Sequence, residues 1–498
     1  RYGHRPHVPR ARPPLLALTV SALALGACGA ASTAGVPLGP PIGHRAASTP
    51  APAAADWPEF GRDPARSDAT DAASGIGAAD LASLGRRQVQ LPGTVDSAPI
   101  YLHGVDVAGA PHDVFLVTTT YGRTVAVDAA AGTILWTFTP AAIGAYAGSA
   151  QITNTSPVAD PDRRFVYAAS PDGLIHKLAL RDGHEQAGWP VAVTRDPTRE
   201  KLGGALNLVG GAVIATTSGY YGDQPPYQGH VVSIARSSGR VLRVFNSLCA
   251  DRRRLIIPSS CAASDSAILA RGGAVVEPGG RRLLVATGNG PYDGRTSFGD
   301  SVIELDAATL RLRQAYTPTN QAALNASDTD LGSSAPALLP GGLVLAGGKD
   351  GILRLLDLAH LDGRPTARPF RTGGELQQLR GPGGAELFSA PAVWHRTVFV
   401  ANGGGTAAYA VSGRRLRLRW SAPGHGSSPI VAGGLLWVYD VDAGKLDVYL
   451  PATGSLLASL DAGPGHWNSP VVGDGRVALP EGNANDHRTT GVLDIFGP

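Results

Sequence analysis

A short step, Ser-Pro or Ser-Ala-Pro, recurs along the chain and each time opens an apolar stretch. It stands at Ser97-Ala98-Pro99, Ser156-Pro157, Ser334-Ala335-Pro336, Ser389-Ala390-Pro391, Ser428-Pro429 and Ser469-Pro470, with weaker counterparts at Leu206-Asn207 and Gly273-Ala274. The stretches are four to six residues long, rich in β-branched side chains and broken by Gly, Asp-Gly or Pro, as in Asp113-Val-Phe-Leu-Val-Thr118 and Thr397-Val-Phe-Val-Ala-Asn402. Such runs read as strands. A unit that recurs at a fixed interval cannot bury its own apolar faces and must stack on its neighbours. Eight starts give roughly 55 residues per unit, enough for a four-stranded blade with loops. The pattern predicts an all-β, eight-bladed β-propeller; seven blades is the nearest alternative, because the third and fourth starts are the weak ones. A pair of β-sandwiches would not need one signature eight times.

Closure is also predicted. The last unit offers only three strands, at Ser469-Pro470-Val-Val, Arg476-Val-Ala-Leu and Gly491-Val-Leu-Asp-Ile-Phe496. Arg86-Arg-Gln-Val-Gln-Leu91 precedes the first Ser-Ala-Pro step and has no other partner, so the N-terminal strand is expected to complete the last blade and hide its edge. A second repeated signal is Ala126-Val-Asp128-Ala-Ala-Ala-Gly132-Thr-Ile-Leu-Trp136, with degenerate copies at Ser233 to Gly239, Glu304 to Thr309, Ala408 to Gly413 followed by Trp420, and Val448 to Gly454. It reads as strand, tight turn, strand, in which Asp128 and Gly132 serve the turn and Trp136 covers the junction between blades. It resembles the docking motif of pyrroloquinoline quinone (PQQ)-type propeller repeats, with Ala131 in the place of Thr.

Residues 1–27 carry four arginines and no acid, then an apolar run from Leu15 to Ala27 that is too short to span a bilayer. The run ends in Leu25-Gly26-Ala27-Cys28, which resembles the bacterial lipobox. The resemblance implies removal of residues 1–27, lipidation of Cys28 and an extracytoplasmic chain anchored to the bacterial membrane, each buried CH₂ contributing about 0.8 kcal/mol. Residues 28–56, rich in Ala, Ser, Thr and Pro, read as a flexible tether, and residues 57–498 as the propeller. In an exported protein Cys249 and Cys261 read as a disulfide closing one loop, for about 3 kcal/mol. With Cys28 lipidated no thiol is left over. The formal charge of +3 comes from the leader, and becomes −1 without it. A near-neutral chain argues against a nucleic-acid partner, and the basic runs Arg252–Arg254 and Arg414–Arg419 read as solvated loop or edge charges.

The region from Ala286 to Asp357 resembles the quinoprotein alcohol dehydrogenase-like family most specifically, and the likeness extends over nearly all of residues 57–498. Ala286-Thr-Gly-Asn289-Gly-Pro-Tyr292, Gly299-Asp300 to Asp306, Tyr316-Thr-Pro318, Asp328-Thr-Asp330 and Lys349-Asp350-Gly351 follow in the family's order. The resemblance implies that Asn289 corresponds to a Ca²⁺-binding Asn, Asp328 to the catalytic base and Lys349 to the cation contacting the quinone oxygens, with Asp328 and Asp330 as further candidate metal ligands. Lys349 is one of only four lysines, against 39 arginines.

The departures are as specific as the matches. Where the family has its metal-binding Glu, Ser218-Gly219-Tyr220 leads to Tyr221, with Asp223 the nearest acid. The stacking Trp falls on Arg271, and no two Cys are neighbours to form the pair that covers the quinone. Without floor, lid and Glu, a planar cofactor and its ion lose burial and a charged ligand. Asn289, Asp328, Asp330 and Lys349 then read as loop and hairpin residues. Asp440-Val-Asp442-Ala-Gly444 offers a second Asp-x-Asp run without the downstream Glu of an EF-hand, and Glu481 to His487 a polar loop at the propeller mouth. The expected function is a binding or scaffold module without a cofactor, meeting an envelope protein or polymer. The alternative is a PQQ- and Ca-dependent dehydrogenase oxidising alcohols or sugars.

Overall fold

A computed structural model describes residues 56–365 and 368–498, which form eight four-stranded antiparallel sheets. Blade 1 runs from Ile100 to Phe138, blade 2 from Val158 to Ala192, blade 3 from Asn207 to Asn246 and blade 4 from Val275 to Tyr316. Blade 5 spans Ala337 to Arg380, blade 6 Ala392 to Ala422 and blade 7 Ile430 to Asp461. The two weak starts, at Asn207 and Val275, each open a complete blade, so the ring has eight blades and not seven. In blade 8 the strands Val471–Gly473, Arg476–Pro480 and Gly491–Gly497 are followed in space by Gly85–Leu91, with Arg86 opposite Phe496 and Leu91 opposite Gly491. The innermost strands of blades 8 and 1 touch and close the ring.

The repeat has a physical basis in what lies between blades. Successive strand residues point to opposite faces, so in blade 1 Tyr101 and Phe115 pack toward blade 8, while Ile100 and Leu116 pack toward blade 2. Every large apolar cluster of the molecule is such a junction, as with Leu284 and Val302 of blade 4 against Val344 and Leu356 of blade 5. At three of the repeated steps the Ser ties neighbouring blades together at the channel. Ser156 Oγ accepts the N–H of Ala98 at 2.9 Å, Ser428 Oγ that of Ala390 at 2.9 Å, and Ser334 Oγ donates to the Ser389 carbonyl at 2.7 Å.

The second signal docks blades at their outer edges. Asp128 Oδ1 accepts the N–H groups of Ala130 and Ala131 and holds the turn. Trp136 donates from Nε1 to the Leu180 carbonyl of blade 2 at 2.8 Å and lies flat against Gly183, where a Cβ would come within 2.6 Å of the ring. Trp420 repeats this on blade 7, bonding the Pro451 carbonyl at 2.9 Å and lying against Gly454. Gly132 itself is covered by Arg87 from the N-terminal strand, so an arginine takes the tryptophan's place where the ring closes. Cys249 and Cys261 are disulfide-bonded in the loop after blade 3, whose base Asn246 Nδ2 fastens by donating to the Arg252 and Arg254 carbonyls.

Two elements that bear on the channel have no counterpart in the sequence reading. One is a two-stranded ribbon, Glu200–Lys201 with Ser218–Gly219. The other is a plug. From Trp57 to Ile76 the chain forms no blade; it threads across one end of the channel and bonds blades 1, 2, 4, 6, 7 and 8 through its backbone in passing. Trp57 exchanges two backbone hydrogen bonds with Tyr101, Pro58 accepts from Ala159, Pro64 from Val276, Ser67 from Val393, Asp68 from Val431 and Ser74 from Gly475. Blade 3 is reached by Arg66, whose guanidinium bonds the Leu206 carbonyl at 2.8 Å, Gly272 at 3.0 Å, Phe60 at 2.6 Å and the Glu59 carboxylate at 2.8 Å. Arg66 and Glu59 are both buried. Residues 1–27 and Cys28 lie outside the described residues, as does the tether up to residue 55.

Candidate functional site

The opposite end of the channel holds a cavity of about 530 Å³. It is built from residues that immediately precede the innermost strands: Asp96, Asn154, Gly203, Arg271, Ser333, Phe388 and Trp467 lead into blades 1, 2, 3, 4, 5, 6 and 8. The site is therefore the rim of the ring itself, and no single unit of the repeat contains it.

The residues singled out by resemblance come together here. Lys349 Nζ lies 2.6 Å from Asp330 Oδ2 and 3.3 Å from Asp328 Oδ1, and the backbone N–H of Asn289 donates to Asp330 Oδ1 at 2.7 Å. All four line the cavity. Their positions differ in kind. Asp330 is buried, and burial pushes its carboxyl up although Lys349 opposes this. Asp328 sits at the rim with its side chain 57 % exposed and a left-handed φ of 52°, where it covers Lys349. Burial works against the Lys349 ammonium, but Asp330 and Asp328 hold it above the ordinary lysine value. The loop reading of these residues and their convergence on one wall are both true of the structure.

Other candidates separate. Asp440 serves a turn: its Oδ1 accepts from the N–H groups of Asp442 and Ala443, and its Oδ2 from that of His425. Of the Glu481 to His487 loop, Asn485 reaches the cavity, while Glu481 pairs with Arg86. Among the described residues, three ligand atoms lie within 4.8 Å of one another only at His103, Asp113 and Asp474, away from both Asp-x-Asp runs.

The opposite wall was not foreseen. Asp96 accepts from Arg271 at 3.0 Å, from the His466 side at 2.9 Å and from the Ala484 N–H at 3.0 Å. Burial alone would push this carboxyl up; Arg271 and His466 overcome it and hold it at about 2. Trp467 stacks on Phe388 with ring centroids 4.8 Å apart. Lys201, on the unforeseen ribbon, points its charge into the same cavity. Its ammonium has no hydrogen-bond or ion-pair partner among the described residues, and burial, aided by Arg271, lowers it to about 8. Lys201 and Lys349 are two of the four lysines in the sequence, and both line this cavity.

Asp96 yields a pH-dependent prediction. Its folded value lies below its ordinary value of 3.8, so its contribution is present above about pH 4 and lost as pH falls toward 2. Asp96→Asn is expected to cost about 2 kcal/mol in urea unfolding at pH 7, with the gap to the wild type closing between pH 4 and 2. A gap that is constant with pH would show that the ion pair does not stabilise the rim.

The fit of PQQ with Ca²⁺ can be judged from these residues. Arg271, in the place of the stacking ring, is held by the Asp96 carboxylate and the Asp96 carbonyl, which makes the floor charged and polar. Tyr221, in the place of the metal-binding Glu, brings no carboxylate and is 87 % exposed. Asp223 lines the cavity, but its carboxylate accepts the Tyr227 hydroxyl at 2.7 Å. Cys249 and Cys261 are twelve residues apart and bonded to each other, and neither lines the cavity. The donor set does not fit the quinone and its ion.

Residues 77–249 match the family described as outer membrane protein assembly factor BamB. No curated protein matches the chain. Among solved structures it is similar to the quinohemoprotein alcohol dehydrogenase of Comamonas testosteroni, at 16 % identity and a TM-score of 0.65, over 89 % of this chain and 80 % of that one. It is similar to quinohemoprotein alcohol dehydrogenase ADHIIG of Pseudomonas putida HK5 at 15 % and 0.66, over 91 % and 83 %. A europium-containing methanol dehydrogenase follows at 14 % and 0.65, over 90 % and 98 %. At these identities the likeness is one of fold, a PQQ-like β-propeller.

Proposed function

We propose that this PQQ-like β-propeller is an envelope-anchored binding module that takes its ligand in the cavity at the channel mouth and carries out no quinone chemistry. The observation that carries the reading is Arg271, which by sequence order stands in the place of the family's stacking Trp: its guanidinium, fixed by Asp96, makes that wall charged where a quinone needs an apolar ring. What remains is a cavity of a size that holds small ligands, with aromatic walls and a few placed charges. The anchor rests on the Leu25 to Cys28 resemblance. The ligand on this reading is an envelope protein or polymer.

One observation favours a second reading, a PQQ- and Ca-dependent dehydrogenase oxidising alcohols or sugars: Asn289, Asp330 and Lys349 do converge. Titrating the purified protein with PQQ and Ca²⁺ separates the two. We expect no change in quinone absorbance and no dye reduction by alcohols or sugars; both together would overturn the binding-module reading. For the anchor, Cys28→Ser is expected to lose lipid labelling and membrane attachment, and retention of both would rule the anchor out.

A further inference from the structure

A second depression, of about 320 Å³, adjoins the cavity, and Tyr220, Tyr221 and Asn485 belong to both walls. Tyr221 stands on the ridge between them, the most exposed large apolar side chain among the described residues. Beyond it the second depression is lined by Gln151, Thr198, Gln224 and His487. His487 is held in a left-handed conformation with φ of 56°, and its Nδ1 is buried without a hydrogen-bond partner. In the first cavity Lys201, opposite Ser218 on the ribbon that leads into Tyr220 and Tyr221, presents an ammonium that is likewise unpartnered.

Resting on the reading of the cavity as a binding site, we propose that the two depressions form one groove for an acidic oligosaccharide of at least two sugar rings. Its carboxylate is bound by Lys201, and Tyr221 is the platform between the subsites. Lys201 is half-buried, and a partly desolvated charge without a partner carries a cost that an anionic ligand relieves. A sugar hydroxyl both donates and accepts, which matches carboxamides such as Asn485, Gln151 and Gln224, each with donors and acceptors on one group. The flat C–H face of a sugar ring needs an exposed apolar surface with a polar edge, which a tyrosine on a ridge supplies. The other two cations, Arg271 and Lys349, are occupied by Asp96 and by Asp330 with Asp328, so Lys201 is the one lining cation without a carboxylate partner, in a cavity whose four carboxylates, Asp223 included, outnumber its three cations.

The probes are trigalacturonate, monomeric galacturonate and neutral cellotriose, titrated calorimetrically against the full protein. We expect the acidic trimer to bind at least tenfold tighter than the monomer and than cellotriose. Its affinity should fall as pH rises through about 8, where Lys201 loses its charge. Lys201→Met should abolish the preference for the acidic trimer over cellotriose, and Tyr221→Ala should reduce the ratio of trimer to monomer affinity toward one. Tyr221 is exposed, so that variant leaves the core intact; methylating the four lysines with ¹³C reports Lys201 directly by its shift on ligand addition. Equal affinity for monomer and trimer, or no effect of Tyr221→Ala, overturns the groove while leaving the cavity reading standing. Binding of neither sugar also overturns the groove, whereas the cavity reading fails separately, on the PQQ titration.

Discussion

Arg66→Leu is expected to lower the unfolding free energy by about 3–5 kcal/mol, because it leaves the Glu59 carboxylate buried without its cation. The same guanidinium serves the carbonyls of Phe60, Leu206 and Gly272, which would also lose a partner. Urea unfolding followed by tryptophan fluorescence measures the change. The double variant Glu59→Leu/Arg66→Leu should recover part of the loss, since an apolar pair in place of a buried ion pair costs less than one stranded charge. A loss below about 1 kcal/mol in the single variant would mean that the plug rests on its backbone bonds and not on Arg66.

The second large effect concerns the other terminus. Removing residues 491–498 takes away the third strand of blade 8, which lies between Arg476–Pro480 and Gly85–Leu91 and bonds both. Gly85–Leu91 then has no partner, and Val89, Leu91, Leu493 and Ile495 leave the apolar cluster joining blades 7, 8 and 1. The truncated chain is expected to show no cooperative thermal transition and no near-ultraviolet circular dichroism. A cooperative melt close to that of the full chain would show that seven blades and a fragment suffice.

What could be read from the sequence is what repeats. At three of the Ser-Pro steps the hydroxyl bonds a neighbouring step around the channel, as Ser156 does for Ala98. The Asp128, Gly132 and Trp136 pattern recurs because every outer edge must seat on its neighbour. The closing strand was legible by subtraction, since one blade lacked a strand and one strand lacked a blade. The plug was not, because it follows no period: Arg66 meets Gly272 across 206 residues. Three of its non-glycine residues, Arg62, Arg66 and Asp68, hold left-handed conformations that local preference disfavours and only their tertiary partners explain. The cavity was legible in halves. The Asn289, Asp328, Asp330 and Lys349 wall lies within a stretch of 61 residues that carries a family's order. Asp96, Arg271 and His466 come from three different loops and Lys201 from the ribbon, and nothing local marks them as one wall.

The sealed ring also sets an order of events. Arg86 meets Asp494 across 408 residues, so the first strand of the propeller waits for the last one to be synthesised. The plug waits as well, since Ser74 needs Gly475. Joining segments so far apart in the chain is entropically demanding before any contact rewards it, which makes ring closure a late and slow step. Until then blade 8 is an open sheet edge that can pair with other chains, so the interval between emergence of residue 91 and residue 497 is when this protein is most exposed to aggregation.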